Sequence, residues 1–394
     1  MRKLVINNAR LLLPSQVMPQ AYLVCEDGVI TRYGSGSFQP DQEDTVIDAK
    51  NNWVSPGFID IHMHGAGGHD FMDNTVEAYL EIARTVAKYG TTALLPTTLA
   101  SSNEELFRTF ETYKQAKLLK TKGASFLGLH LEGPYFSFEQ RGAQDPKYLR
   151  NPEPDEYNRI LDASEDIVRW SLAPELEGAF AFGRVLKERN ILPSVAHTNA
   201  IYEEVVEAFQ AGFTHVTHLY SAMSSVVRKN AYRYAGAVEA AYLIDDMTVE
   251  IIADGVHLPK PLLQFVYKFK GPDKIALCTD AMRGAGMPDG ASVLGSLKNG
   301  RPVIIEDGVA KLPDRSAFAG SVATADRLVR TMIDVAEVSL PDAVKMMTLT
   351  PARIIGVADR KGSIDRGKDA DIVIFDDRIT VQATIVGGDV VYSR

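Results

Sequence analysis

Eight short apolar runs, most of them separated by stretches of helical periodicity, dominate the chain from Ser55 onward. They fall at residues 56–64, 92–98, 125–132, 167–174, 191–197, 214–220, 248–257 and 274–280. Residues 75–89, 103–120, 202–211 and 261–268 show the spacing of amphipathic helices, and Ser102 stands where an N-cap belongs. Strand–helix alternation calls for parallel strands joined by helical crossovers. Eight such units match an α/β fold of the (β/α)8 TIM-barrel type. A doubly wound sheet is the other solution, but no phosphate-binding glycine fingerprint supports it.

The two ends of the chain read differently. Residues 1–54 hold short strands, with a hairpin-type turn at Asp27-Gly28, and the tail from Gly362 returns to short strands. Strands at both ends that flank a barrel are expected to pair. The predicted organisation is therefore a small β-sandwich domain from residues 1–54 plus 356–394, and a barrel from 55–355. Residues 301–311 read as a hairpin turning at Asp307-Gly308, and 324–336 and 341–355 as helices.

A net charge of −9 offers no basic face for nucleic acid, though a local basic cluster could hold a small anion. Cys25 and Cys278 form no disulfide framework and no metal-type spacing, so a reducing cytoplasm is expected. No run approaches the roughly 18 apolar residues of a membrane span. The opening residues carry too short an apolar run for a signal peptide.

A barrel places its chemistry at the carboxyl ends of its strands. His62-x-His64 ends the first run, and strand alternation turns both imidazoles to one face, about 7 Å apart. Taken alone, the pair reads equally as two unrelated polar residues. Glu132 ends the third run, His197 the fifth and Asp280 the eighth, while His218 lies late in the sixth and His257 follows the seventh. Neutral imidazoles and carboxylates in such a ring suit a divalent metal. Four histidines with Glu132 and Asp280 are enough for two ions, with Glu132 as a bridge and Asp280 as ligand and base. Such ions lower the pKa of a bound water toward neutrality. Three further histidines are assigned otherwise: His215 as structural on the opposite sheet face from His218, His130 as packed one layer below Glu132, and His69 as a loop residue.

With these motifs in place the chain resembles the amidohydrolase superfamily and, within it, the N-acetylglucosamine-6-phosphate deacetylase branch. The resemblance rests on Pro56-Gly-Phe-Ile-Asp-Ile-His-Met-His-Gly65, His130-Leu-Glu-Gly-Pro134, Thr217-His-Leu-Tyr-Ser-Ala-Met223, Ile252-Ala-Asp-Gly-Val-His257, Thr279-Asp-Ala281 and Gly367-Lys-Asp-Ala-Asp-Ile-Val373. It implies a barrel with a β domain from both termini, a homodimer, and metal ligation by Glu132, His197 and His218. Members that keep the first-strand histidines hold a second metal, so His62 and His64 imply two ions per subunit, zinc or iron, with manganese or cobalt also suited. It further implies Asp280 as the catalytic acid and base, His257 as a substrate contact, and an amino-sugar phosphate as substrate. The implied reaction removes the acetyl group of N-acetylglucosamine 6-phosphate in amino-sugar catabolism.

The chain departs from the branch at three places. Ser221-Ala222 replaces the usual Asn-Ala that holds the sugar phosphate. An Arg-x-Pro-Gly segment is replaced by Arg228-Lys-Asn-Ala-Tyr-Arg-Tyr-Ala-Gly236, leaving Arg228, Lys229 or Arg233 as the phosphate cation. Gln144 stands where many members carry a substrate-touching histidine. Other N-acyl amino sugars remain open as substrates, and so does a cyclic amide, although the fourth run lacks the lysine of cyclic amidases. A third alternative, a catalytically dead scaffold, would show lost ligands, and every candidate ligand is present.

Overall fold

The computed structural model describes residues 3–119 and 122–394. The end of the second helix, expected at Lys120, lies outside those residues. Both chain ends meet in one eight-stranded sheet, in which Lys3–Leu12 pairs with Val17–Glu26 and Trp53–Pro56 runs antiparallel to Ile372–Phe375. Alternation decides its faces. Leu4, Ile6, Leu11, Leu23, Val54, Ile372, Ile374 and Ile385 are buried in one apolar cluster of this sheet.

Between the ends lie two runs of parallel strands. One orders Ser125–Phe126, Thr91–Pro96 and Phe58–Met63. The other orders Leu129–Glu132, Ile167–Leu172, Leu192–Val195, His215–Val216, Thr248–Ile251 and Ile275–Leu277. Isolated parallel bridges, Thr97 to His130 and Met63 to Ala281, link the runs at their carboxyl ends. The third predicted strand is split at Gly128, whose φ of +133° departs from strand geometry and where a Cβ would lie 2.5 Å from Val168.

The helices follow their caps. Val76–Ala87 starts at Thr75, whose side chain accepts the Ala78 amide at 3.2 Å, and Asn103–Lys117 starts at Ser102, which accepts the Glu105 amide at 3.3 Å. The single helix expected at 341–355 is two, Leu340–Met347 and Leu349–Ile354, broken at Thr348. Pro154–Ala163, Ala179–Glu188 and Ala237–Leu243 are helices that periodicity did not single out.

Several strands are shorter than predicted. The sixth ends at Val216, the seventh at Ile251 and the eighth at Leu277. The backbone then leaves extended geometry: His197, His218 and Asp280 have φ of 46°, 30° and 46°. Positive φ is uncommon outside glycine, and such residues concentrate at ligand sites, where the surroundings hold them. The hairpin expected at 301–311 is part of a four-stranded sheet, Gly290–Leu294, Arg301–Glu306, Val309–Lys311 and Phe318–Ser321. Its last strand is hydrogen-bonded to the segment of Asp280, with the Ser321 amide 2.8 Å from the Asp280 carbonyl.

Candidate metal centre and substrate cavity

At the carboxyl ends of the parallel strands a cavity of about 600 Å³ opens, lined by His64, Glu132, His197, His218 and Asp280 among others. That volume suits a small ligand. The buried Glu132 carboxylate is its focus. Glu132 Oε1 lies 3.2 Å from His218 Nε2, 3.3 Å from His62 Nε2 and 3.5 Å from His197 Nε2. Oε2 lies 3.5 Å from His64 Nε2. Asp280 Oδ1 stands 3.1 Å from His64 Nε2 and 3.4 Å from His62 Nε2. Among the described residues the donor atoms form three groups, each within 4.8 Å: His62–His64–Asp280 and Glu132–His197–His218 face the cavity, and His62–Glu250–Cys278 lies on the other side of His62.

The ring nitrogens are arranged for ligation. His62 Nδ1 is bonded to Glu250 Oε1 at 2.6 Å, His64 Nδ1 to the Thr97 carbonyl at 3.3 Å and His197 Nδ1 to the Gln140 carbonyl at 2.8 Å. Each bond uses the Nδ1 proton and leaves Nε2 as the lone-pair nitrogen facing the carboxylates. His62 Nε2 and His218 Nδ1 are buried without any hydrogen-bond partner. An orphaned imidazole nitrogen inside a ring of carboxylates and imidazoles fits a divalent cation. Burial pushes the Glu132 carboxyl up, but the surrounding imidazoles of His62, His197 and His218 outweigh it and hold the group well below its ordinary range.

The other predicted residues divide. His257 donates through Nδ1 to Asp254 at 2.8 Å, packs its ring on Phe318 and lines the cavity with Ser221 and Ala222. Gln144 also lines it, yet its amide is already engaged: Nε2 donates to Glu132 Oε2 at 2.7 Å and Oε1 accepts the Ala100 amide at 2.9 Å. Arg228 and Arg233 face each other across the exposed hairpin Val227–Lys229 and Tyr232–Tyr234 and do not line their own chain's cavity. Like charges directly opposed on a hairpin are unfavourable without an anion or partner between them. Among the described residues the cation on this cavity wall is Arg141, which the sequence did not single out.

His130 bonds Ser171 Oγ at 2.7 Å and Thr97 Oγ1 at 3.2 Å, which uses both ring nitrogens. His69 does not line the cavity. His215 corrects the parity argument. Its strand ends at Val216 and the left-handed His218 breaks the alternation, so His215 also points inward, 3.5 Å from Glu250.

Burial, with Arg169 beside it, pushes the His215 imidazole down to about 4. Its folded value lies below the roughly 6.5 of an unfolded chain. The stability this implies is fully present above about pH 6.5 and is lost as pH falls toward 4, on the order of 3 kcal/mol. In urea titrations His215→Gln should show a shallower fall in unfolding free energy between pH 6 and 4.5 than the parent chain. Identical slopes would rule the effect out.

The chain matches the amidohydrolase family over residues 53–391. It is 30% identical over 393 residues to the N-acetylglucosamine-6-phosphate deacetylase of Bacillus subtilis (strain 168), covering 99% of this chain and 97% of that one. It is 31% identical over 385 residues to the N-acetylgalactosamine-6-phosphate deacetylase of Escherichia coli O157:H7, covering 98% of each. A solved structure of a mutant N-acetyl-D-glucosamine-6-phosphate deacetylase from Mycobacterium smegmatis, in complex with N-acetyl-D-glucosamine-6-phosphate, superposes over 100% of both chains. Its TM-score is 0.90 at 28% identity.

Proposed function

The chain belongs to the amidohydrolase family, and on that premise we propose that it hydrolyses N-acetylglucosamine 6-phosphate to glucosamine 6-phosphate and acetate. The observation that carries this reading is the convergence of four imidazoles, through their Nε2 atoms, on the buried Glu132, with Asp280 beside His62 and His64, at a cavity of sugar size. We read the linked parallel runs as a closed (β/α)8 barrel spanning 55–355, with 1–54 and 356–394 as the β domain.

We assign one metal position to His62, His64 and Asp280 and a second to His197 and His218, with Glu132 shared. Zinc or iron suits these ligands, as do manganese and cobalt. Ions so held would lower the pKa of a bound water and polarise the amide carbonyl. The chain supplies the rest. Asp280 takes the proton of the attacking water and passes it to the leaving nitrogen as the amide C–N bond breaks. His257, fixed by Asp254, presents its free Nε2 to a sugar hydroxyl. The phosphate is assigned to the cavity mouth beside Arg141, Ser221 and Ala222. In a homodimer, Arg228 or Arg233 of a second copy would complete its charge. The two buried unpaired thiols fit a cytoplasmic enzyme.

Acetate release from a panel of N-acetylhexosamines, with and without 6-phosphate, tests the reading on metal-replete protein. The 6-phosphorylated glucosamine derivative should react at least tenfold faster than the free sugar. Equal rates would remove the arginines from the site. Faster turnover of the galactosamine 6-phosphate derivative would favour a second reading, which the similarity to the Escherichia coli relative supports.

A further inference from the structure

A buried charge network lies directly beneath the ligand set. Glu250 stands on Thr248–Ile251 between the buried apolar residues Val249 and Ile251, so alternation turns it to the inner face. Its Oε1 is 2.6 Å from His62 Nδ1 and accepts the His218 amide at 3.2 Å. Its Oε2 accepts from Arg169 Nη1 at 2.6 Å. Arg169 is fixed at three more points: the Ile61 carbonyl at 3.1 Å, Ser194 Oγ at 3.1 Å and Thr217 Oγ1 at 2.8 Å. Both side chains are 0% exposed.

A fully buried ion pair is costly to desolvate, and apolar side chains of similar volume often replace one without loss of stability. Its place against the His62 ring and the His218 main chain therefore asks for a reason beyond packing. The other imidazoles do without such support: His64 and His197 lean on backbone carbonyls, and His218 Nδ1 has no partner. Only His62, among the four, has a carboxylate on its Nδ1. With its Nδ1 proton given to Glu250, the lone pair sits on Nε2, the atom left orphaned between Glu132 and Asp280.

We propose that Glu250, anchored by Arg169, is a positioning residue that fixes the tautomer and ring orientation of His62 and so creates the His62–His64–Asp280 metal position as a site separate from Glu132–His197–His218. This rests on the two-metal reading above. Outer carboxylates on a ligating histidine typically change metal affinity by about 10- to 100-fold.

The test is metal content per chain by elemental analysis, after equilibrium dialysis of the whole protein against zinc buffered over a graded range. The parent chain should bind two ions. Glu250→Gln should bind one as before and the other about 10- to 100-fold more weakly. Glu250→Asp should recover part of the loss. Because Glu250→Gln leaves Arg169 facing a neutral group, the paired variant Glu250→Leu with Arg169→Met serves as a second arm with no stranded charge. It should show the same selective loss with a cooperative unfolding transition. A parent chain that binds one ion would overturn the two-metal reading and this inference with it. Two ions in the parent, together with unchanged or equally weakened binding of both in the variants, would overturn this inference alone.

Discussion

Replacing Asp280 by asparagine should lower kcat by on the order of 1,000-fold, about 4 kcal/mol of transition-state stabilisation, while bound metal and KM stay close to the parent values. Asparagine has the same shape and keeps one oxygen at the ligand position. It has no lone pair basic enough to accept the proton of water. The backbone fixes where that group stands: Asp280 has φ 46°, and its amide donates to the His62 carbonyl at 2.9 Å. Its side chain is 11% exposed and lines the cavity. Loss in kcat with unchanged KM marks an interaction made only in the transition state. Activity within tenfold of the parent, at full metal content, would remove Asp280 from the base role.

The clustering of His62, His64, Glu132, His197, His218 and Asp280 was legible because each lies at or near the end of an apolar run, and parallel strands joined by crossovers bring their carboxyl ends together whatever their separation in sequence. Parity put His62 and His64 on one face, and only the residues at the other strand ends made the pair read as a metal site. What the sequence concealed was of three kinds. Strand ends were misplaced because left-handed residues such as His197, His218 and Asp280 stop a strand without any glycine or proline to announce it. The network of Arg169, Glu250 and His215 was passed over because pairing across the interior leaves no periodic trace. One signal was present: Arg169 in Ile167-Val-Arg-Trp and Glu250 in Thr248-Val-Glu-Ile are lone charges within otherwise apolar or uncharged strands. A charge in a strand buried on both faces must have a partner. Arg141 was missed for another reason. It lies on the loop after Glu132-Gly-Pro, and only the fold brings that loop to the cavity wall.

Glu132 allows the sharpest separation between a shared ligand and two independent sites. Its Oε1 is within 3.5 Å of the Nε2 atoms of His62, His197 and His218, and its Oε2 is held by Gln144 at 2.7 Å. Gln144 is in turn tied to the Ala100 amide, so the carboxylate cannot swing to serve one side only. Glu132→Gln removes the charge that both positions use, and its amide nitrogen would either cap an imidazole lone pair needed for ligation or meet the Gln144 amide donor against donor. Such a chain should retain less than about half an ion in total and lose more than about 1,000-fold in kcat, the proton-transfer and metal contributions failing together. Replacing His62 and His64 together should leave one ion, held by Glu132, His197 and His218. One ion in each variant would show that Glu132 serves only the His197–His218 position and that His62, His64 and Asp280 hold an ion without it.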